Sequence, residues 1–402
     1  MMRVSTAQFY YQNSQRLSEK QSGVNDQMKY ISSGKRVLTA KDDAVSYGTL
    51  VGYKDELANI EKYQKNIIQA ENRNQLQENS FANAELLMQQ LKQLFIQANN
   101  GTLSDSDLSS LADLGEDIQS QMLDIANAKD ETGGYVFAGY QIDKKPFNLQ
   151  PDNSVTYVGD NGKRELQIAK SILVETNQPG DEAFQQVDNP IGDFSATYVN
   201  NNSGISVGRA VVATPSAYDP LTNPPDYKFV FTSATDLTVT DGGGATVFTT
   251  AAYVPGQTVA FNGVEVQISG NPLPGDEFDL TPDDSVGIFE TIKSAIDWMN
   301  VGASPVNSQL HQVDYGEILD QIEAGLNHIT TQRTESGVRL KMIETQKNNH
   351  LDSELYLSQG QSQIEDLDFA KAIAAFEQSQ VALQAAQQTF IQIKGLSLFN
   401  YI

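Results

Sequence analysis

Twelve of the thirteen prolines lie between Pro146 and Pro282, and only Pro305 falls outside that stretch. Proline removes a backbone donor and clashes with the preceding turn, so helix interiors exclude it. Long helices can therefore form on the two flanks, and the middle must be built differently. Residues 147–284 alternate short β-branched runs with turn signals. The runs 155–158 and 166–168, separated by Asp160-Asn161-Gly162, read as a hairpin with an Asn-Gly turn. Further strands are predicted at 228–231, 238–240, 247–249, 258–261 and 264–268. Pro-Gly-Asp-Glu occurs twice, at 179–182 and 274–277, each time with a phenylalanine close behind (Phe184, Phe278), a pattern compatible with one β-module or two.

The two ends of the chain match in kind. Within residues 1–34, Leu17, Val24, Met28 and Ile31 recur at spacings of seven, four and three. Within 361–402, Phe369, Ile373, Phe376, Leu383 and Phe390 keep the same rhythm, with Gln380 and Gln387 in the remaining seam positions. Such spacing puts the side chains on one helix face and requires a partner helix. Neither end can bury its stripe alone, so these residues are the candidate subunit-assembly positions.

Gly34 is placed to end the first helix as a left-handed cap. Thr39 and Asp42 form a capping-box pattern for a second helix running to about residue 97, striped by Leu50, Leu57, Ile60, Ile67, Leu76, Leu87 and Leu94. After Asn99-Asn100-Gly101 a third helix carries Leu111, Ile118, Met122 and Ile125. On the second flank Ser285 is placed to cap a short helix through Ile288, Ile292, Ile296 and Met299. A longer helix carries Leu319, Ile322, Leu326, Ile329, Leu340 and Ile343, interrupted by the polar Arg333 and Ser336. The expected fold is α+β: a coiled-coil helical rod made from both chain ends, with a β-rich domain inserted at its tip. The expected divisions are 1–45 with 360–402, 46–146 with 285–359, and 147–284.

A formal net charge of −24 argues against nucleic acid and anionic membrane surfaces as partners. The charge is uneven: residues 1–45 hold seven Lys/Arg against four Asp/Glu, and 361–402 hold two against four. Opposite signs favour pairing of the two end helices, though exposed pairs contribute only about 0.2–1 kcal/mol each. Without cysteine there are no disulfides, thiol nucleophiles or Cys metal ligands. The first residues lack the apolar core of a cleaved signal, and no apolar run approaches the roughly 20 residues of a membrane span. Composition alone indicates a soluble, cytoplasmic chain.

No catalytic, cofactor or metal site emerges. Gly275-Asp276-Glu277-Phe278 resembles the hairpin signature of cyclic-dinucleotide synthases, but Pro274 precedes it and no α/β domain surrounds it; a β-turn explains it. Asp105 and Asp107 lack the rest of a calcium loop and fit an acidic helix N-terminus. His311, His328 and His350 lack the four-residue spacing of a zinc helix. Asp241-Gly242-Gly243-Gly244 has no helix behind it to hold an anion and reads as a hairpin loop.

Specific strings then carry a resemblance. Ser32-Ser33-Gly34-Lys35-Arg36-Val37 followed by Ala40-Lys41-Asp42-Asp43-Ala44 resembles the N-terminal signature of the bacterial flagellin family. Ile364-Glu365-Asp366-Leu367-Asp368-Phe369-Ala370 resembles its C-terminal one. The segment Gly134-Tyr135-Val136-Phe137-Ala138-Gly139-Tyr140 with Pro146-Phe147, the element Ser336-Gly337-Val338-Arg339-Leu340, and the ending Gly395-Leu396-Ser397-Leu398-Phe399-Asn400-Tyr401-Ile402 are similar to the branch of the family that joins hook to filament. The resemblance implies an extracellular structural protein of the flagellum, exported through the flagellar type III channel without a cleaved signal. It implies as partners further copies of the chain, a neighbouring hook-associated protein, filament flagellin and an export chaperone, with no nucleic acid, membrane or cofactor. Two other readings compete: the filament flagellin itself, and a surface adhesin or carbohydrate-binding module on a helical stalk.

Overall fold

Helix fills both proline-poor flanks and β-structure fills the proline-rich middle. The computed structural model describes residues 5–221 and 225–399. The first flank folds as α1 (Ser5–Ser33), α2 (Ala44–Ala98) and α3 (Asp105–Ala126). Along α2, Leu50, Ile60, Ile67, Leu87 and Leu94 are buried, as a helical stripe requires. Its start differs from expectation. The Asp42 carboxylate accepts the Leu38 and Thr39 N–H groups and the Tyr30 hydroxyl, closing a turn before the helix. Asp43 caps α2 instead, accepting from the Ser46 backbone at 3.0 Å. α3 opens on a complete capping box between Ser104 and Asp107, which accounts for its acidic start.

The middle begins with β1 (Phe147–Leu149), β2 (Val155–Tyr157), β3 (Glu165–Ala169) and β4 (Ile172–Glu175), followed by the single turn α4 (Gly180–Phe184) and β5 (Val187–Asp188). β1 pairs with β2 and β3 with β4, so the expected hairpin of 155–158 with 166–168 does not form. Both runs have the right composition, but a closer segment satisfies each. The first Pro-Gly-Asp-Glu starts α4, whereas the second turns into a strand, so the two copies adopt different structures.

The chain continues as β6 (Phe194–Asn200), β7 (Ser206–Val212), β8 (Tyr227–Phe231), β9 (Leu237–Asp241), β10 (Thr246–Thr250), β11 (Thr258–Phe261), β12 (Val264–Ser269), β13 (Glu277–Pro282) and β14 (Ser285–Val286). These form an antiparallel five-stranded sheet ordered β10-β9-β8-β13-β6 and a three-stranded sheet ordered β11-β12-β7. Their core includes Phe194, Phe229, Phe231, Phe278 and Leu280. Phe229 and Phe278 stand opposite each other in register and stack at 4.5 Å. β5 and β14, at the two chain crossings, pair through Val187 and Val286.

The second flank is α5 (Ile288–Asn300), α6 (Ser308–Glu365) and α7 (Phe369–Phe399). Gly287, not Ser285, precedes α5, because Ser285 belongs to β14. The expected single helix over 361–402 is broken at 366–368, where Asp368 caps α7 by accepting the Lys371 N–H. The chain divides into two compact units, residues 1–65 with 345–402 and residues 66–344. In the larger unit Phe81, Phe95, Phe137, Phe184 and Trp298 form the helical core. Gly115 lets α3 close on α5, since a Cβ there would stand 2.9 Å from Ile296. The polar interruption of α6 is buried at Ser336 and Gln332, and Arg333 reaches Glu78 and Glu85 of α2 at 2.9 and 3.1 Å.

Candidate assembly surface

In the smaller unit α1 and α7 pack antiparallel. Tyr10 sits edge-on to Phe390, with ring centroids 6.4 Å apart, and the Gly34 end of α1 lies beside Phe369. α1 stops where Gly34 turns left-handed at a φ of +68°, its N–H donating to the Tyr30 carbonyl. The two signature strings then bind each other. Arg36 N–H donates to the Glu365 carbonyl at 2.7 Å, Leu367 N–H donates to the Gly34 carbonyl at 3.0 Å, and the Arg36 guanidinium donates to the Ile364 carbonyl.

At this seam the Glu365 carboxylate is buried, 4% exposed, and takes Lys35 at 2.7 Å, Lys54 at 2.8 Å and Gln361 at 2.6 Å. Burial works to raise its pKa, yet the hydrogen bonds from Lys35, Lys54 and Gln361 outweigh that and hold it at about 2. Periodicity gave no warning of this cluster; the only signal was the opposite charge of the two ends. Nearby, the Tyr30 hydroxyl donates to Asp42 at 2.6 Å, which lowers the Asp42 carboxyl to about 2 and raises the Tyr30 phenol to about 12.

The expected stripes divide in two. Val24 and Leu383 are each 8% exposed inside the pair and Ala372 is buried too, while Leu17, Ile31, Phe376 and Phe390 are half-buried. Met28, Phe369 and Ile373 are 58, 50 and 46% exposed, and Gln380 is also exposed. Step angle explains the division. At about 100° per residue, Ala372, Leu383 and Phe390 share a narrow arc, and Phe369, Ile373 and Ile391 lie roughly 40–100° round from it. One partner helix covers one edge of a stripe that wide. Ile391, at the same angle as Ile373, extends the uncovered row, and Tyr11 and Val381 are exposed at other angles; all three went unnoticed in the sequence because they fall off the strict heptad. Of the similar tail, residues 400–402 lie outside the described residues.

The other candidates make local structural contacts. Asp276, fully buried, anchors its turn by accepting the Asn202 and Leu273 N–H groups. Asp241 accepts the Gly243 and Ala245 N–H groups in the β9–β10 loop. His350 stacks on Tyr63, His311 stacks on Trp298, and His328 meets the Glu182 carbonyl. Among the described residues no cluster of acidic and histidine side chains could hold a metal, and no helix is long and apolar enough to cross a membrane.

Comparison with known proteins follows the same seam. The model of the bacterial flagellin N-terminal helical region matches residues 4–142, and that of the bacterial flagellin C-terminal helical region matches 319–402, together more than half of the chain. Flagellar hook-associated protein 3 of Escherichia coli (strain K12) is 25% identical over 99% of both chains. The crystal structure of flagellar hook associated protein-3 from Legionella pneumophila superposes with a TM-score of 0.66 at 28% identity, covering 78% of this chain and 97% of that one. Flagellin of Escherichia coli (strain K12) is 26% identical but matches over 63% of this chain and 54% of its own.

Proposed function

The chain belongs to the bacterial flagellin family, and from that membership we propose that it is a structural subunit of the flagellum that joins hook to filament. The observation that carries this reading is the terminal helix pair, which buries Val24, Ala372 and Leu383 and leaves Met28 of α1 and Phe369, Ile373 and Ile391 of α7 exposed. A row of that kind is stabilised when neighbouring subunits cover it. Residues 1–45 with 360–402 act as the assembly part, 46–146 with 285–359 as a helical bundle, and 147–284 as the solvent-facing insert. Subunits add by a heterologous contact, in which the row of one copy meets a different patch on the next. The partners are further copies, a neighbouring hook-associated protein, filament flagellin and, before assembly, an export chaperone. The role is mechanical rather than catalytic, and the site of action is outside the cell, reached by type III export. Likeness over the full length to hook-associated protein 3, against a partial match to flagellin, favours the junction over the filament. Immunogold labelling of intact flagella tests this. A narrow band between hook and filament is expected, label along the filament would make the chain a flagellin, and absence of flagellar label would favour the adhesin reading.

A further inference from the structure

The sheets of β6 to β13 and the helices of the larger unit keep separate apolar cores, Phe194, Phe229 and Phe278 in one and Phe81, Phe137 and Trp298 in the other, whereas the earlier part of the β-rich domain joins the helices through Phe147, Phe184 and Val187. Where β6 and β7 face α6, a cleft of about 450 Å³ lies between them, lined by Ser195, Ser203, Ser206, Gln309, Gln312 and Glu317 among others. Polar ties bridge it. The Tyr198 hydroxyl of β6 donates to the Glu317 carboxyl of α6 at 2.5 Å and accepts the Val207 N–H of β7 at 2.9 Å. Beside it the Asn307 amide donates to the Asn201 carbonyl at 2.9 Å. Interfaces without a shared apolar core are held by such ties, and their geometry follows the state of the tied groups.

We propose that Tyr198 and Glu317 form an acid-held latch that sets the angle between the sheets of β6 to β13 and α6, closed while Glu317 is protonated and released when it ionises. A neutral carboxyl can stay in the cleft at little cost, whereas a carboxylate demands water. The charged neighbours sharpen the contrast. Asp314 and Asp320 stand on the same helix, no Lys, Arg or His lines the cleft among the described residues, and the sheet side offers the neutral Tyr198 and serines. Burial foremost, with Asp314 and Asp320 adding to it, pushes the Glu317 carboxyl up to about 7, against the opposing hydrogen bond from Tyr198. A carboxyl raised in the closed form favours that form fully below its ordinary value of 4.5 and loses the preference as pH climbs to about 7.

The chain has no cysteine, so Ser269→Cys on β12 and Thr331→Cys on α6, both exposed, place one spin-label pair across the cleft of the full chain. Pulsed dipolar spectroscopy then reads the separation between about pH 4 and about pH 9, a window that brackets the expected transition. The latch predicts a narrow, short distance in acid that lengthens and broadens with a midpoint between 4.5 and about 7. Glu317→Gln should hold the acid distribution throughout, and Tyr198→Phe should lower the closed fraction at every pH. A pH-invariant distance in the unsubstituted cleft would overturn the proposal, as would the same transition in Glu317→Gln.

Discussion

Glu365 concentrates the chemistry of the seam, because one buried carboxylate is shared by two lysines and a glutamine from three segments of the chain. Its pKa is lowered on folding, so its contribution to stability is fully present above the ordinary value of 4.5 and is lost as pH falls towards about 2. In thermal melts followed by circular dichroism, Glu365→Gln should therefore lower the stability of the terminal helices at neutral pH. It should also flatten their acid dependence; an unchanged acid profile would remove the carboxylate from the account. Gly34 is the second residue on which the seam depends. At a φ of +68° a side chain is strained, and Phe369 lies at an ordinary 3.5 Å from where a Cβ would stand, so backbone rather than crowding decides. Gly34→Val should cost about 1–2 kcal/mol, read as a lower melting temperature of the same helices.

Among the elements, the terminal helices divide the expected stripes into buried and exposed positions. Leu383, buried within the pair, should lose about 2 kcal/mol of pairing stability on change to alanine, whereas Phe369→Ala should leave the monomer's helicity nearly intact. Equal loss in both would mean that the row is already covered in the monomer. In the β-rich domain, Phe229→Ala removes one ring of a stacked cross-strand pair and should cost about 3–5 kcal/mol, seen as early melting of the sheets. Helices were legible in the sequence because their apolar period persists over many turns, as along α2. Strands β8 to β12 were legible by their β-branched runs, but β6, β7 and β13 were not, since Asn, Arg, Asp and Pro dilute their alternation. Strand partners were not legible at all: residues 155–157 could equally have paired forward, and only the fold shows that Phe147–Leu149 takes them. The Thr39–Asp42 box misled because a capping pattern closes an isolated turn as readily as it starts a helix.

At the scale of the whole molecule the two compact units differ in how much apolar surface they bury. The unit of residues 66–344 carries its own cores, and the ends of the chain leave apolar side chains exposed, which the proposed assembly would cover. Ordering a backbone residue costs about 1–2 kcal/mol, and contacts between subunits offset that cost only if the row is apolar and accessible. Removing residues 361–402 should accordingly abolish incorporation into the flagellum while the 66–344 unit still melts cooperatively; normal incorporation of the shortened chain would contradict this. The most direct measurement leaves the chain whole. Phe369→Asp with Ile373→Asp puts charge on the exposed row and spares the buried Val24, Ala372 and Leu383. The variant, expressed in a strain lacking the native chain, should be found folded and exported into the medium, with bare hooks and no motility. Flagella of normal length built with the double variant would contradict the claim that this row is the surface through which the subunit assembles.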